Sequence, residues 1–179
     1  MSTDQNLPAK QLSMVITAAA VRQLPDVPLP PGYTLRTYRP GDEGNWLTLL
    51  HQAGFNSWTL ERFVPYMRET ERVQGSHCIQ YGDQLAAATF ASHRRPDPPE
   101  GTLDYVIAHP DHSGKKLGKA VCTAVLRYLV GRGYQHISLV TDDSRLPALK
   151  VYLDLGFRPV INRRDMPARW ETIYRQFAP

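Results

Sequence analysis

One junction constrains this chain more than any other. Residues 102–132 read TLDYVIA, then HPDHSGKK, then LGKAVCTAVLRYLVGR. The first piece is an almost wholly apolar run of strand length, which predicts a buried strand over 102–108. The last predicts a helix over about 115–132, with Leu117, Val121, Val125 and Leu129 on one i, i+4 stripe and Gly131 and Gly133 to stop it. HISLVT (136–141) reads as a second buried strand. DDSRLPALKVYLDLGF predicts a short helix with a Ser/Asp cap and Pro147 in its first turn, and FRPVI a last strand. Ahead of the junction, HCIQY (77–81) and QLAAATFAS (84–92) flank Gly82-Asp83, a two-residue spacing that predicts a tight hairpin. A hairpin pair followed by strand–helix–strand–helix–strand implies an α/β (α+β mixed sheet) fold class, with a central mixed sheet and helices on both faces.

The N-terminal part is less regular. LPDVPLPPG, ending at Gly32, is too proline-rich for helix or central strand, so residues 1–32 read as an extended lead-in to a single domain over 33–179. SMVIT (13–17) has the composition of a short strand within it. YTLRTYR (33–39) alternates with period two and reads as a strand. A helix follows with Asp42 as a capping residue, Trp46, Leu49 and Leu50 on one stripe, and Gly54 at its close. WTLERFVPYMRET predicts a second helix interrupted at Pro65, HRRPDPPEG (93–101) a polar loop, and PARWETIYRQF (167–177) a terminal helix.

Bulk properties exclude several classes. At 179 residues, 42% hydrophobic and 21% charged, the chain has the makeup of an ordinary globular domain with one sizeable core. It carries no apolar run of membrane-spanning length and its start has no secretory pattern, so a cytoplasmic location is expected. Cys78 and Cys122 lie inside apolar runs and read as reduced core thiols. Of the histidines only His109 and His112 are close in sequence, and they read as a solvated loop feature, so no metal is expected. The net charge of +4 suits a polyanionic small ligand, and the basic residues are too dispersed to favour nucleic acid.

The junction loop itself suits an anion. Gly114 can adopt positive φ, the N–H groups from Ser113 to Lys119 lie at a helix start, and Lys115, Lys116 and Lys119 add positive charge. A nucleoside-triphosphate P-loop is excluded by spacing and by Ala120, which stands where a Mg²⁺-binding hydroxyl is needed. A dinucleotide fingerprint is excluded because Gly114 and Gly118 do not make G-x-G-x-x-G. What remains is either a pyrophosphate cradle of another kind or a plain strand-to-helix turn with a glycine and a solvated lysine cluster.

VIAHPDHSGKKLGKAV, followed one helix and one strand later by SLVTDDSRLPALKVYLDLGF, resembles the GNAT superfamily of acyl-CoA-dependent N-acyltransferases. Ala108-His109-Pro110 matches that family's strand end, Gly114 and Gly118 its pyrophosphate loop, and Ala148, Tyr152 and Gly156-Phe157 its later segment, over about residues 33–162. Ser113 replaces the loop's usual Arg or Gln, Lys116 its middle glycine, and Arg145 an Asn that contacts pantetheine.

The resemblance implies acetyl-CoA as co-substrate and transfer of an acetyl group to a primary amine, on a small molecule or a protein. It implies no metal, nucleic acid or membrane as partner, and it allows a homodimer. The same fold also serves as a non-catalytic acyl-CoA-binding or regulatory module, the alternative that the altered loop and Arg145 keep open. Strand 102–108 would splay from strand 136–141, so that the N–H of Val106 polarises the thioester and that of Ala108 binds the pantetheine arm. The loop from Ser113 through Gly114, Lys115, Lys116, Leu117, Gly118 and Lys119 would hold pyrophosphate, with Arg145 nearby. Tyr152 would be the general acid for the leaving thiolate and Asp104 the first choice of base, ahead of Asp142 and Asp143. Phe55, Trp58 and Phe63, with the 92–101 loop, are the candidates for an acceptor pocket.

Overall fold

A computed structural model describes residues 11–96 and 99–177. A mixed sheet organises the chain. Strands β1 (Leu12–Thr17), β2 (Tyr33–Thr37), β3 (His77–Tyr81), β4 (Gln84–Pro96), β5 (Pro99–Ala108), β6 (His136–Thr141) and β7 (Arg158–Pro159) lie in the order β2-β3-β4-β5-β6-β1-β7. Every neighbouring pair is antiparallel except β5–β6, the crossover that the central helix requires. Helices α1 (Ala18–Arg22), α2 (Glu43–Gln52), α3 (Leu60–Tyr66) and α4 (Thr70–Gly75) precede the hairpin. After it come α5 (Leu117–Gly131), α6 (Leu146–Asp154) and α7 (Met166–Phe177), and a short 3-10 turn, Pro110–His112, lies within the junction loop.

Two apolar layers sandwich the sheet. The stripe of α5 is buried as its spacing requires: Val125 and Leu129 pack with Leu103, Ile137, Leu139 and the inward residues of β1, and Leu117 and Val121 with Ile79, Ala86 and Ala87. Trp46, Leu49 and Leu50 of α2 close the other face with Trp58, Phe63 and Phe90. Side chains of this size each contribute about 1.5–3 kcal/mol when fully buried.

Several expectations need correction. Residues 1–32 are no lead-in as a whole, because β1 is inserted between β6 and β7 and buries Leu12, Met14 and Ile16. Alternation of apolar residues in LSMVIT drives this, and the domain boundary moves to the N-terminal side of β1. Asp42 makes no capping bond; its carboxylate takes a bidentate pair from Arg36 at 2.6 and 2.8 Å, stronger than a neutral cap. The Ser/Asp cap of α6 is likewise absent, with Arg145 at that position and Asp143 engaged by Arg169. The polar loop 93–101 is largely hairpin, with His93 opposite Gly101 and Arg94 opposite Glu100; residues 97 and 98 lie outside the described set. His112 is buried, bonded to Tyr33 Oη at 2.7 Å and Gln84 Nε2 at 3.0 Å, and His109 meets Gln52 at 2.9 Å, so neither is a solvated loop residue. Cys78 and Cys122 are free and buried, as the apolar runs predict.

Two irregularities shape the centre. The β5–β6 ladder holds only for Glu100–Thr102 against His136–Ser138, and beyond it the strands part into a fork. Within β5, Ala88 faces Ile107 while Phe90 faces Asp104, so β5 carries one extra residue and Tyr105 sits at φ +49°. That bulge reverses the alternation. Leu103 enters the α5 layer, whereas Ile107, at the same parity, enters the α2 layer. Thr89 Oγ1 ties the kink by donating to Asp104 O at 2.9 Å.

Candidate active site

The fork opens into two cavities on either side of β5. One, of about 400 Å³, is lined by Val106, Ala108, the loop from His112 to Lys119, and Ala148 and Val151 of α6. His109 N–H is committed to Ala86 O of β4 at 2.9 Å. By antiparallel alternation the N–H groups of Ala108 and Val106 therefore point to the opposite edge, where β6 has already left. An extended guest could pair with them there.

The loop below is built for an anion. Gly114 has φ +74° and Lys116 φ +59°, so peptide planes around Lys115 turn their N–H groups inward as a nest. Lys116 thus holds the left-handed geometry of the glycine it replaces. No side chain caps α5, and the first intrahelical bond runs from Ala120 N to Lys116 O, which leaves the N–H groups of Leu117, Gly118 and Lys119 unclaimed. Lys115 and Lys116 are exposed beside them, while the Leu117 side chain is in the core and Lys119 Nζ reaches Asp154 O at 3.5 Å. Ser113 departs from expectation because its N–H is already bonded to Pro110 O, so it brings only its hydroxyl. Free N–H groups, cations and an open strand edge fit the pyrophosphate and pantetheine of a CoA thioester.

The second cavity, about 500 Å³, lies across the fork and holds Tyr152, Asp104, Phe55, Trp58 and Arg145. Tyr152 is 5% exposed and its hydroxyl has no hydrogen bond among the described residues; burial raises its pKa and keeps it protonated. Asp104, brought to this face by the bulge, accepts from Tyr66 Oη at 3.3 Å and lies 3.9 Å from Arg94. Burial raises its pKa, and the Arg94 charge and Tyr66 bond only partly offset that. Arg145 is on this side and not in the loop groove. Its guanidinium lies 4.3 Å over Phe55 and donates to Ala53 O at 3.1 Å, pinning α6 to the α2–α3 turn. Phe55 and Trp58 both line the cavity, but Phe63 is wholly buried beneath them. Asp142 is at the rim, bonded by Gln11, and Asp143 is taken by Arg169. The pattern of the sequence gives no sign of Tyr66, Arg62 and Arg72, which also face this space from α3 and α4.

A sequence model of the Acetyltransferase (GNAT) family matches residues 36–157, a span that contains the fork, the loop and Tyr152. The chain belongs to the GNAT acetyltransferase family. It is similar to a mycothiol acetyltransferase of Acidothermus cellulolyticus, 32% identical over 155 residues, covering 75% of this chain and 47% of the relative. A GCN5-related N-acetyltransferase from Sphaerobacter thermophilus shares its fold with a TM-score of 0.67 at 22% identity, covering 84% of this chain and 48% of that one. The ribosomal-protein-S18-alanine N-acetyltransferase from Escherichia coli does so at 0.61 and 21%, covering 75% and 83%. The chain spans about half the length of the curated relatives it matches. No helix among the described residues is long and apolar enough to cross a membrane, and no group of three or more metal-ligating side chains occurs among them.

Proposed function

We propose that this chain is an N-acetyltransferase that moves an acetyl group from acetyl-CoA to a primary amine by direct attack. The observation that carries the reading is the meeting of two cavities at one fork, an anion-binding groove on one side and an aromatic pocket with Asp104 and Tyr152 on the other. Acetyl-CoA would place its pyrophosphate on the N–H groups of Leu117, Gly118 and Lys119 and its pantetheine along Ala108. The thioester carbonyl would accept from Val106 N–H, which stabilises the oxyanion as it forms. The amine, held in the aromatic pocket, would lose a proton to Asp104 directly or through one water and attack the carbonyl. Collapse of the adduct breaks the C–S bond, and Tyr152 donates its proton to the departing thiolate. The similarity to mycothiol acetyltransferases supports acetyl transfer and leaves the acceptor to this chain's own pocket.

The test is release of free CoA from acetyl-CoA across a panel of primary amines. Amine-dependent release that Tyr152→Phe abolishes without loss of acetyl-CoA binding is expected. Saturable acetyl-CoA binding with no release, unchanged in Tyr152→Phe, would overturn the transferase reading in favour of an acyl-CoA-binding module.

A further inference from the structure

The acceptor pocket is unusual in its cations. Four arginines from four separate elements line it: Arg62 of α3, Arg72 of α4, Arg94 of β4 and Arg145 at the start of α6. Two of them are accounted for within the protein. Arg72 pairs with Glu69 at 2.8 Å, lies 3.7 Å over the Tyr66 ring and donates to Ser92. Arg145 is partly buried and held in place by the Phe55 ring and the bond to Ala53 O, with Asp142 at 4.0 Å.

The other two are exposed where they line the pocket, and neither has a carboxylate within hydrogen-bond distance among the described residues. Arg62 has no carboxylate within 4.0 Å among the described residues; it lies 4.3 Å over Trp58 and donates to Ser57 Oγ at 3.0 Å. Those contacts orient the guanidinium without neutralising it. Among the described residues Arg94 has Asp104 at 3.9 Å, too far for a hydrogen bond. In the proposed reaction Asp104 must in addition receive a proton from the acceptor's ammonium, which competes for the same carboxylate.

Resting on the transferase reading, we infer that the acceptor is a zwitterion: a primary amine that also carries a carboxylate or phosphate, its ammonium against Asp104 and its anion against Arg62 and Arg94. A guanidinium fork recognises either anion through paired N–H donors. A polyamine would meet the arginines with like charge, and a neutral amine would leave Arg62 unpaired. The walls of Phe55, Trp58, Tyr66 and Tyr105 add room for an apolar or aromatic body between the two poles.

The experiment compares matched acceptors with acetyl-CoA: phenylalanine against phenylalaninamide, 3-aminopropyl phosphate against 3-aminopropanol, and spermidine. Within each pair the members differ in the anion, rates are compared per deprotonated amine so that the change in amine basicity cancels, and the two pairs separate carboxylate from phosphate. At least one anionic member is expected to exceed its neutral partner tenfold or more in kcat/KM, and Arg62→Gln and Arg94→Gln to shrink that ratio at least fivefold. Equal rates within both pairs, a preference for spermidine, or a ratio untouched by both substitutions would overturn the inference. A parallel readout is the shift in Tm with each acceptor in the presence of CoA, which needs no turnover. Stabilisation by an anionic acceptor that Arg62→Gln removes, without CoA release, would sink the transferase reading and retain the anion site. Release of CoA with no anion preference would do the reverse.

Discussion

In the proposed reaction three side chains carry most of the chemistry, and each yields a distinct measurement. Tyr152 has an unpartnered hydroxyl on a well-packed ring, so Tyr152→Phe should leave Tm nearly unchanged while kcat falls about 10²-fold or more, the usual scale for a general acid. Asp104 has its pKa raised by burial. Its stabilising contribution is therefore complete below the unfolded value of about 3.9 and is lost as pH rises through the folded value. Asp104→Asn should accordingly gain Tm over the parent increasingly as pH rises above about 4, while losing activity and the acidic limb of the kcat/KM profile. Lys116 carries positive φ at a cost of roughly 1–2 kcal/mol, so Lys116→Gly should gain about 0.5–1 kcal/mol after glycine's own entropy is counted. A denaturant melt reads that gain, and an acetyl-CoA titration should show weaker binding, more so at low salt. Motif spacing alone places Tyr152 and the loop. It misplaces Arg145, because a long side chain can turn to either side of the fork and only the Phe55 ring decides which.

At the level of elements, periodicity locates the strands and helices of the second half, where apolar runs and stripes are unbroken. It fails at caps, since Asp42 and Asp143 have better partners in arginines that other elements bring to them. It also fails at the β4–β5 hairpin, where proline-rich composition hides strand pairing. The bulge at Tyr105 has no sequence signature, yet it turns Asp104 towards the aromatic cavity. Its tie is the 2.9 Å bond from Thr89. Thr89→Val, nearly isosteric, should destabilise the fold by about 1 kcal/mol in a urea melt and lower kcat more than it changes acetyl-CoA affinity. Unchanged kcat would mean that the kink holds without this bond.

At the scale of the whole molecule, the sheet is completed by a strand from the opposite end of the chain. Leu12, Met14 and Ile16 are almost wholly buried between β6 and β7, each contributing about 1.5–3 kcal/mol, against a typical total stability of about 5–15. Removing residues 1–17 should abolish cooperative unfolding by circular dichroism although no proposed catalytic or CoA-binding residue is lost, and Met14→Ala should cost about 2–5 kcal/mol. The same placement bears on how the protein is made. Gln11 meets Asp142, 131 positions later, at 3.1 Å, so β1 leaves the ribosome well before the strands it pairs with. Until β6 and β7 emerge, that apolar segment has no place in the sheet, and the nascent chain must carry it unpaired while the intervening elements are made.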